Sequence, residues 1–339
     1  MLGTQPRVDV KGRLLYDGFS SGGCAGGPVV DLSTGAVVGV HWASWFEEQG
    51  EEASRSATVI TPARTTWSHV CEAVPSLEIL ENAELQRAIV PAYDPDFFAE
   101  GRVPRPVVPA RLKGDLLNGR VINATHYSFE VNEGRAMPFY VAYNIDRAQL
   151  KRIPYDVFRI DPKVPMALQN LNDVYKNNQF DRGHLVRRTA VQWGSYEVAK
   201  LAGRDASYYS VTCPQLSQFN QGQWNNLEDY ALSDAFQSAT RVCVLAGPIF
   251  RRSDIEYRRI RVPRSFWKII VGLDQNGKIA AESFVMNQYQ LVETDSLAIP
   301  EAVPPEMRSL ADCRASIEEI ERLTLLDFGV LKTYQDPAK

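Results

Sequence analysis

The chain lacks the marks of a disulfide-stapled, zinc-clustered or membrane-spanning protein. Its 339 residues hold five dispersed cysteines, Cys24, Cys71, Cys213, Cys243 and Cys313, with no C-x-x-C pair and no Cys/His cluster. That spacing argues against a zinc site and for reduced, buried thiols. No run approaches the roughly 18 apolar residues of a membrane span, so no membrane partner is expected. Residues 1–10 contain no apolar core of a secretory signal, and the cytoplasm is the expected location. Excess positive charge is missing too: the net charge is −4, unlike a strongly basic nucleic-acid binder.

What is present is ordinary globular material, 45% hydrophobic and 23% charged, in a length that calls for two modules. The charge is unevenly spread. Residues 1–108 carry 8 Lys+Arg against 14 Asp+Glu (−6), and residues 109–339 carry 29 against 27 (+2). Within 241–268, Arg241, Arg251, Arg252, Arg258, Arg259, Arg261, Arg264 and Lys268 face only Asp254 and Glu256, a local +6. Such a strip supplies phosphate attraction that the whole-chain sum conceals, or it is a solvated hairpin edge.

Residues 1–75 read as short strands with glycine turns. Pro28-Val29-Val30-Asp31 and Ala36-Val37-Val38-Gly39-Val40-His41 are β-branched runs joined by a Ser33-Thr34-Gly35 hairpin signal. Residues 76–108, with a short helix signal at Leu77-Glu78-Ile79-Leu80-Glu81 and then Pro91, Pro95, Pro104 and Pro106, read as a linker. Residues 109–339 mix strand and helix without βαβ repeats, so an α+β domain is expected. Tyr127-Ser128-Phe129-Glu130-Val131 alternates like a half-buried strand. Arg241 to Gly247 and Phe266 to Val271 read as buried strands, Trp224 to Ala235 and Ser316 to Thr324 as helices.

Two segments carry chemistry. Asp181-Arg182-Gly183-His184 is followed, 36 residues after the histidine, by Asn220 in Phe219-Asn220-Gln221-Gly222-Gln223-Trp224-Asn225-Asn226-Leu227-Glu228. Phosphodiester hydrolysis needs an activated water and neutralised charge on phosphate and leaving oxygen. A neutral imidazole at His184 serves as general base. The Asn220 carbonyl oxygen suits Mg²⁺, which keeps most of its waters. Glu228, about two helical turns beyond, is placed to orient water around such an ion. Arg182 is placed to pair with phosphate, and Asp181 to fix the loop. Each residue alone has a bland reading; the combination carries the inference.

These segments resemble the DNA/RNA non-specific endonucleases, the ββα-metal nucleases that include the endonuclease G-like enzymes. His184 sits in the family's Asp-Arg-Gly-His signature, and Asn220, Trp224, Leu227 and Glu228 keep its Asn-x-x-x-Trp-x-x-Leu-Glu spacing. Further similarity runs from about residue 120 to 335, through Pro138 to Asn144, Gly247-Pro248-Ile249-Phe250, Val262-Pro263 and Phe266-Trp267-Lys268. The resemblance implies a central antiparallel sheet with a ββα-metal site, His184 as base, and Asn220 as the sole direct protein ligand of Mg²⁺, with Mn²⁺ as the alternative. It implies DNA and RNA as substrates, bound through their backbones. It also implies a transition-state arginine upstream, for which Arg152 and Arg159 both qualify. Val211 and Cys213 depart from the family's pattern, which often has asparagine at the first of these positions.

Gly23-Cys24-Ala25-Gly26-Gly27-Pro28 resembles the Gly-x-Ser-Gly-Gly-Pro turn of trypsin-like serine peptidases. Ala25 stands at the nucleophile position and has no hydroxyl, so an inert remnant of that all-β fold is expected over 1–75. An upstream protease half or a regulatory protein is the partner this suggests; oligomeric state is open, a homodimer included. The expectation is a Mg²⁺-dependent endonuclease acting on DNA and RNA. Its rivals are a serine peptidase, opposed by Ala25, and a non-catalytic nucleic-acid-binding module.

Overall fold

The computed structural model describes residues 92–154, 157–233, 240–288 and 309–335, preceded by the backbone of five strands. Strands β1 (Arg7–Val8), β2 (Arg13–Tyr16), β3 (Pro28–Val30), β4 (Val37–Ser44) and β5 (Arg55–Val59) form an antiparallel sheet in the order β1-β2-β5-β4-β3. The pairing of β3 with β4 is the hairpin expected around Ser33-Thr34-Gly35. Ala25 and the helix expected at 77–81 lie outside the described residues. The chain divides into two compact units, Met1–Ile89 and Val90–Lys339.

The second unit is built on six antiparallel strands: β6 (Ile122–Ala124), β7 (Tyr127–Asn132), β8 (Met137–Asp146), β11 (Arg241–Ile249), β14 (Ser265–Leu273) and β15 (Ile279–Asn287), ordered β15-β14-β11-β8-β7-β6. Numbers β9 and β10 (Phe180–His184 and Thr212–Leu216) belong to a separate two-stranded ladder, β12 and β13 (Ile255–Tyr257 and Ile260–Val262) to a hairpin. Strands β8, β11 and β14 are buried nearly throughout because both sheet faces are covered. Side chains alternate across a strand. On one face Val242, Val244, Ala246, Phe266 and Ile270 pack under the β9–β10 ladder and its following helix, through Val186, Leu216, Trp224 and Leu227. On the other, Cys243, Leu245, Trp267 and Ile269 pack under Ile317, Ile320 and Phe328 at the C-terminal end. Among the described residues the α-helices are α1 (Asn172–Tyr175), α2 (Tyr196–Asp205), α3 (Asn225–Leu232) and α4 (Ile317–Thr324), with a single helical turn at Ser217–Phe219. The cap of α4 is Ser316, whose hydroxyl accepts from the Glu319 N–H at 3.0 Å. Gly247 lets Trp267 lie flat on β11: a Cβ there would stand 2.7 Å from the Phe139 carbonyl oxygen and 3.0 Å from the indole nitrogen.

Two expectations change. The linker reading of 76–108 does not extend over its described part. Tyr93, Phe97, Phe98, Val103 and Val108 are buried in the second unit, and Val107 bridges Asp327. Prolines break a periodic pattern without preventing burial, because their neighbours can pair with distant groups. This is also why β7 is buried on both faces rather than one. The Tyr93 N–H donates to Ser128 Oγ at 3.2 Å, and Ser128 in turn donates to Asn123 at 2.8 Å. Glu130 is 9% exposed, its carboxyl raised above the usual range by burial.

Candidate active site

The candidate residues meet where β9 and β10 run into a helix. The two strands pair antiparallel, with His184 opposite Thr212, Gly183 opposite Cys213, Arg182 opposite Pro214 and Asp181 opposite Gln215. A helical turn at Ser217–Phe219, a wide π-helical turn at Asn220–Trp224, and α3 follow directly. Wide turns of this kind are uncommon and concentrate at functional sites. This one contains Asn220 as its first residue.

Asp181 ties the helix start to β9. Its Oδ2 accepts from Asn220 Nδ2 and from Gln221 Nε2, both at 2.9 Å, and its Oδ1 accepts from Ser217 Oγ at 3.0 Å. A carboxylate only accepts, so the Asn220 NH₂ faces Asp181 and its Oδ1 faces the other way. Four residues later the Trp224 indole N–H donates to the His184 carbonyl at 3.1 Å. Both ends of the 36-residue interval are therefore joined by side-chain hydrogen bonds.

His184 is half-buried, packed 5.0 Å from the Phe158 ring. Its Nε2 is shielded and has no protein hydrogen-bond partner. Burial, aided by the positive charge of Arg188, depresses the imidazole to about 4, so the ring is neutral near pH 7. Gly183 beside it has no room for a side chain: a Cβ would stand 2.1 Å from Gln215 Oε1. Gln215 is fully buried across the ladder, with neither amide atom paired.

Glu228 is held more tightly than its sequence position suggests. Its Oε1 accepts from Lys268 Nζ at 3.0 Å, with Lys268 fully buried and Nζ 4.0 Å from the centroid of the Trp224 ring. Burial pushes the Lys268 ammonium below the ordinary lysine range while Glu228 opposes that shift. Arg182 is likewise braced. Its guanidinium lies over Phe158 and Tyr175 and donates to Asn172 Oδ1 at 2.5 Å, which also receives the Tyr209 hydroxyl at 2.8 Å.

Arg152 and Arg159 are both exposed on the segment before α1. Arg159 follows Phe158 directly, and its backbone pairs with Ser207 and Tyr209 at 3.0 Å each. Val211, the departure from the family pattern, is buried, and its carbonyl accepts from the Leu185 N–H at 3.1 Å just past the signature. Three contributors were missed from sequence: Arg188, which acts on His184 and donates to the Pro154 carbonyl at 3.1 Å; Asn172; and Lys268 in its role as partner of Glu228. Arg188 had a signal, since it stands four residues after the signature histidine in Leu185-Val186-Arg187-Arg188. Among the described residues no group of three or more His, Cys, Asp or Glu side chains converges as a metal cage.

The DNA/RNA non-specific endonuclease family profile matches residues 112–332. An uncharacterized protein of Sinorhizobium fredii is 36% identical over 53% of this chain and 29% of its own length. Human mitochondrial endonuclease G is 31% identical over 50% of this chain and 55% of its own length. A nuclease of Nostoc is 27% identical over 60% of this chain and 70% of its own length. The chain thus spans about half or less of the first two of these relatives.

Proposed function

The chain belongs to the DNA/RNA non-specific endonuclease family, and from that premise we propose that it hydrolyses phosphodiester bonds of DNA and RNA with a divalent cation, Mg²⁺ first and Mn²⁺ second. The observation that supports this most is the pairing pattern around β9. Asp181, Asn220, Trp224 and Glu228 are held by hydrogen bonds, while His184 keeps a neutral ring with Nε2 unpaired. A buried polar atom without a partner calls for a water, an ion or a chemical role.

In this reading His184 takes the proton of the attacking water. A neutral imidazole is the form a general base needs, and its depressed proton affinity keeps it neutral across physiological pH. Asn220 would hold the cation through Oδ1, the atom that Asp181 leaves facing away. One hard oxygen suits an ion that retains most of its own waters, and no carboxylate cage is required. When bound, the cation supplies charge neutralisation at the phosphate and leaving oxygen. Asp181 positions Asn220. Glu228, with Oε1 engaged by Lys268, has Oε2 left to accept from water in the site. Arg182, braced on two aromatic rings, presents its remaining donors to a phosphate oxygen. Arg159 is the better candidate for charge stabilisation during bond breaking, because it adjoins the ring packed on His184; Arg152 lies six residues from that ring. Binding through phosphates reads neither the base nor the 2′-hydroxyl, as action on both nucleic acids would require.

The test is cleavage of supercoiled plasmid and of a structured RNA, each with Mg²⁺ and with chelator. Cutting of both substrates in Mg²⁺ alone is expected. Binding without cutting in either condition would leave a nucleic-acid-binding module instead.

A further inference from the structure

The arginine strip read from the sequence lies beside the candidate site yet takes no part in the chemistry above. The β12–β13 hairpin abuts the start of β9: the Tyr257 ring is 5.5 Å from the Phe180 ring, and its hydroxyl accepts from Asn178 Nδ2 at 3.0 Å. At the hairpin turn, Arg259 pairs with Asp173 at 3.0 Å, next to the Asn172 that braces Arg182. Arg258 donates to the Lys176 carbonyl at 2.6 Å. From the turn the positive charge continues away from β9. Arg261 donates to the Arg252 carbonyl at 3.3 Å, and Arg135 donates to the carbonyls of Arg251 and Arg261 at 3.2 and 3.3 Å. Arg135, Arg251, Arg252 and Arg261 then line a cavity of about 530 Å³.

The nearby carboxylates are largely engaged. Asp254 is buried and takes Arg135; Glu256 faces Arg261; Asp173 faces Arg259; Asp115 remains on the cavity wall. Arg252, Arg258, Arg259 and Arg261 are exposed. A guanidinium has five donors in a flat fork; the contacts use one on Arg258, two on Arg261 and up to four on Arg259, which also donates to the Ala167 and Gln169 carbonyls, so donors remain for planar oxyanions. We propose that this hairpin and cavity form an auxiliary phosphate-binding surface that carries the nucleic-acid backbone beyond the candidate active site, an inference that rests on the nuclease reading. It anchors substrates several nucleotides long and leaves a single phosphodiester untouched.

Binding is measured by fluorescence anisotropy with a duplex of about 30 base pairs, in chelator, on the His184→Ala background across a salt series. Each phosphate contact contributes about 0.9 to the slope of log affinity against log salt. Arg252→Gln/Arg261→Gln should lower that slope by about 1.8, while Lys278→Gln, in the turn at the far end of β14, should leave it unchanged. In otherwise intact protein with Mg²⁺, the double variant should raise KM for the duplex and leave hydrolysis of bis(p-nitrophenyl) phosphate at the unsubstituted rate. An unchanged slope and KM would overturn the surface, as would an equal loss on the small ester. If the unsubstituted protein cuts neither substrate, the nuclease reading fails, and the anisotropy slopes still decide whether the hairpin binds phosphate.

Discussion

Two histidines have described side chains, and they occupy opposite situations. His126 is buried, its Nδ1 lies 2.8 Å from the Val191 carbonyl, and its ring stacks on Trp193 at 3.5 Å and 7°. His184 also sits among packed groups, but its Nε2 has no protein partner. Both rings are depressed to about 4, chiefly by burial. The proton affinity therefore does not separate the structural histidine from the candidate catalytic one; the hydrogen-bond inventory does. Around His126 the polar groups serve the fold. Around His184, Asp181, Trp224 and Glu228 are held by hydrogen bonds, and the ring's Nε2 is left without a protein partner.

The contrast can be broken at either end. His126→Ala should lower stability by about 2–4 kcal/mol, from an unpaired Val191 carbonyl and a lost ring contact, with cleavage per folded molecule retained. Denaturant unfolding beside active-site-normalised rates checks this; a large rate loss at unchanged stability would place His126 in the chemistry. Asp181→Asn should raise the Mg²⁺ concentration for half-maximal cleavage by about 10–100-fold, because an amide presents Asn220 with a competing donor where a carboxylate only accepts. A Mg²⁺ titration of rate reads it, and an unshifted midpoint would remove Asp181 as the group that orients Asn220.

The smallest effect is on pH. A base depressed to about 4 stays unprotonated well below pH 6, so the acid limb of kcat/KM should fall near pH 4 to 5 rather than near 6.5. Stability moves over a different window. Unfolded imidazoles bind protons as pH falls through about 6.5, and the folded ones wait until about 4, so protonation favours unfolding between those values. Melting curves from pH 7 to 4 should decline over that interval; an acid limb centred on 6.5 would mean that His184 is solvated.

Much of the candidate site's layout was legible because its residues are close in sequence. Asp181 to His184 form one strand, and Asn220 to Glu228 form one continuous helical segment, so local order carries over into space. The sheet strands were legible where apolar runs fill both faces, as at Arg241 to Gly247 and Phe266 to Val271. What escaped depends on partners remote in sequence. The buried Lys268 is 40 residues from Glu228, and no periodicity links them. Residues 92–108 look like linker because prolines interrupt the pattern, yet the Tyr93 N–H finds Ser128 35 residues away. Trp224 to Ala235 reads as helical from sequence; the described helix is Asn225–Leu232, Ala235 lies outside the described residues, and the π turn that ends at Trp224 has no signature in residue type.

Cleavage by His184→Ala under single-turnover conditions with saturating Mg²⁺ tests the central claim most directly. The expected result is a loss of at least 10²–10⁴-fold against the unsubstituted protein, at an unchanged melting temperature and unchanged duplex binding. A variant that folds, binds and cuts at the original rate would contradict a base at this position.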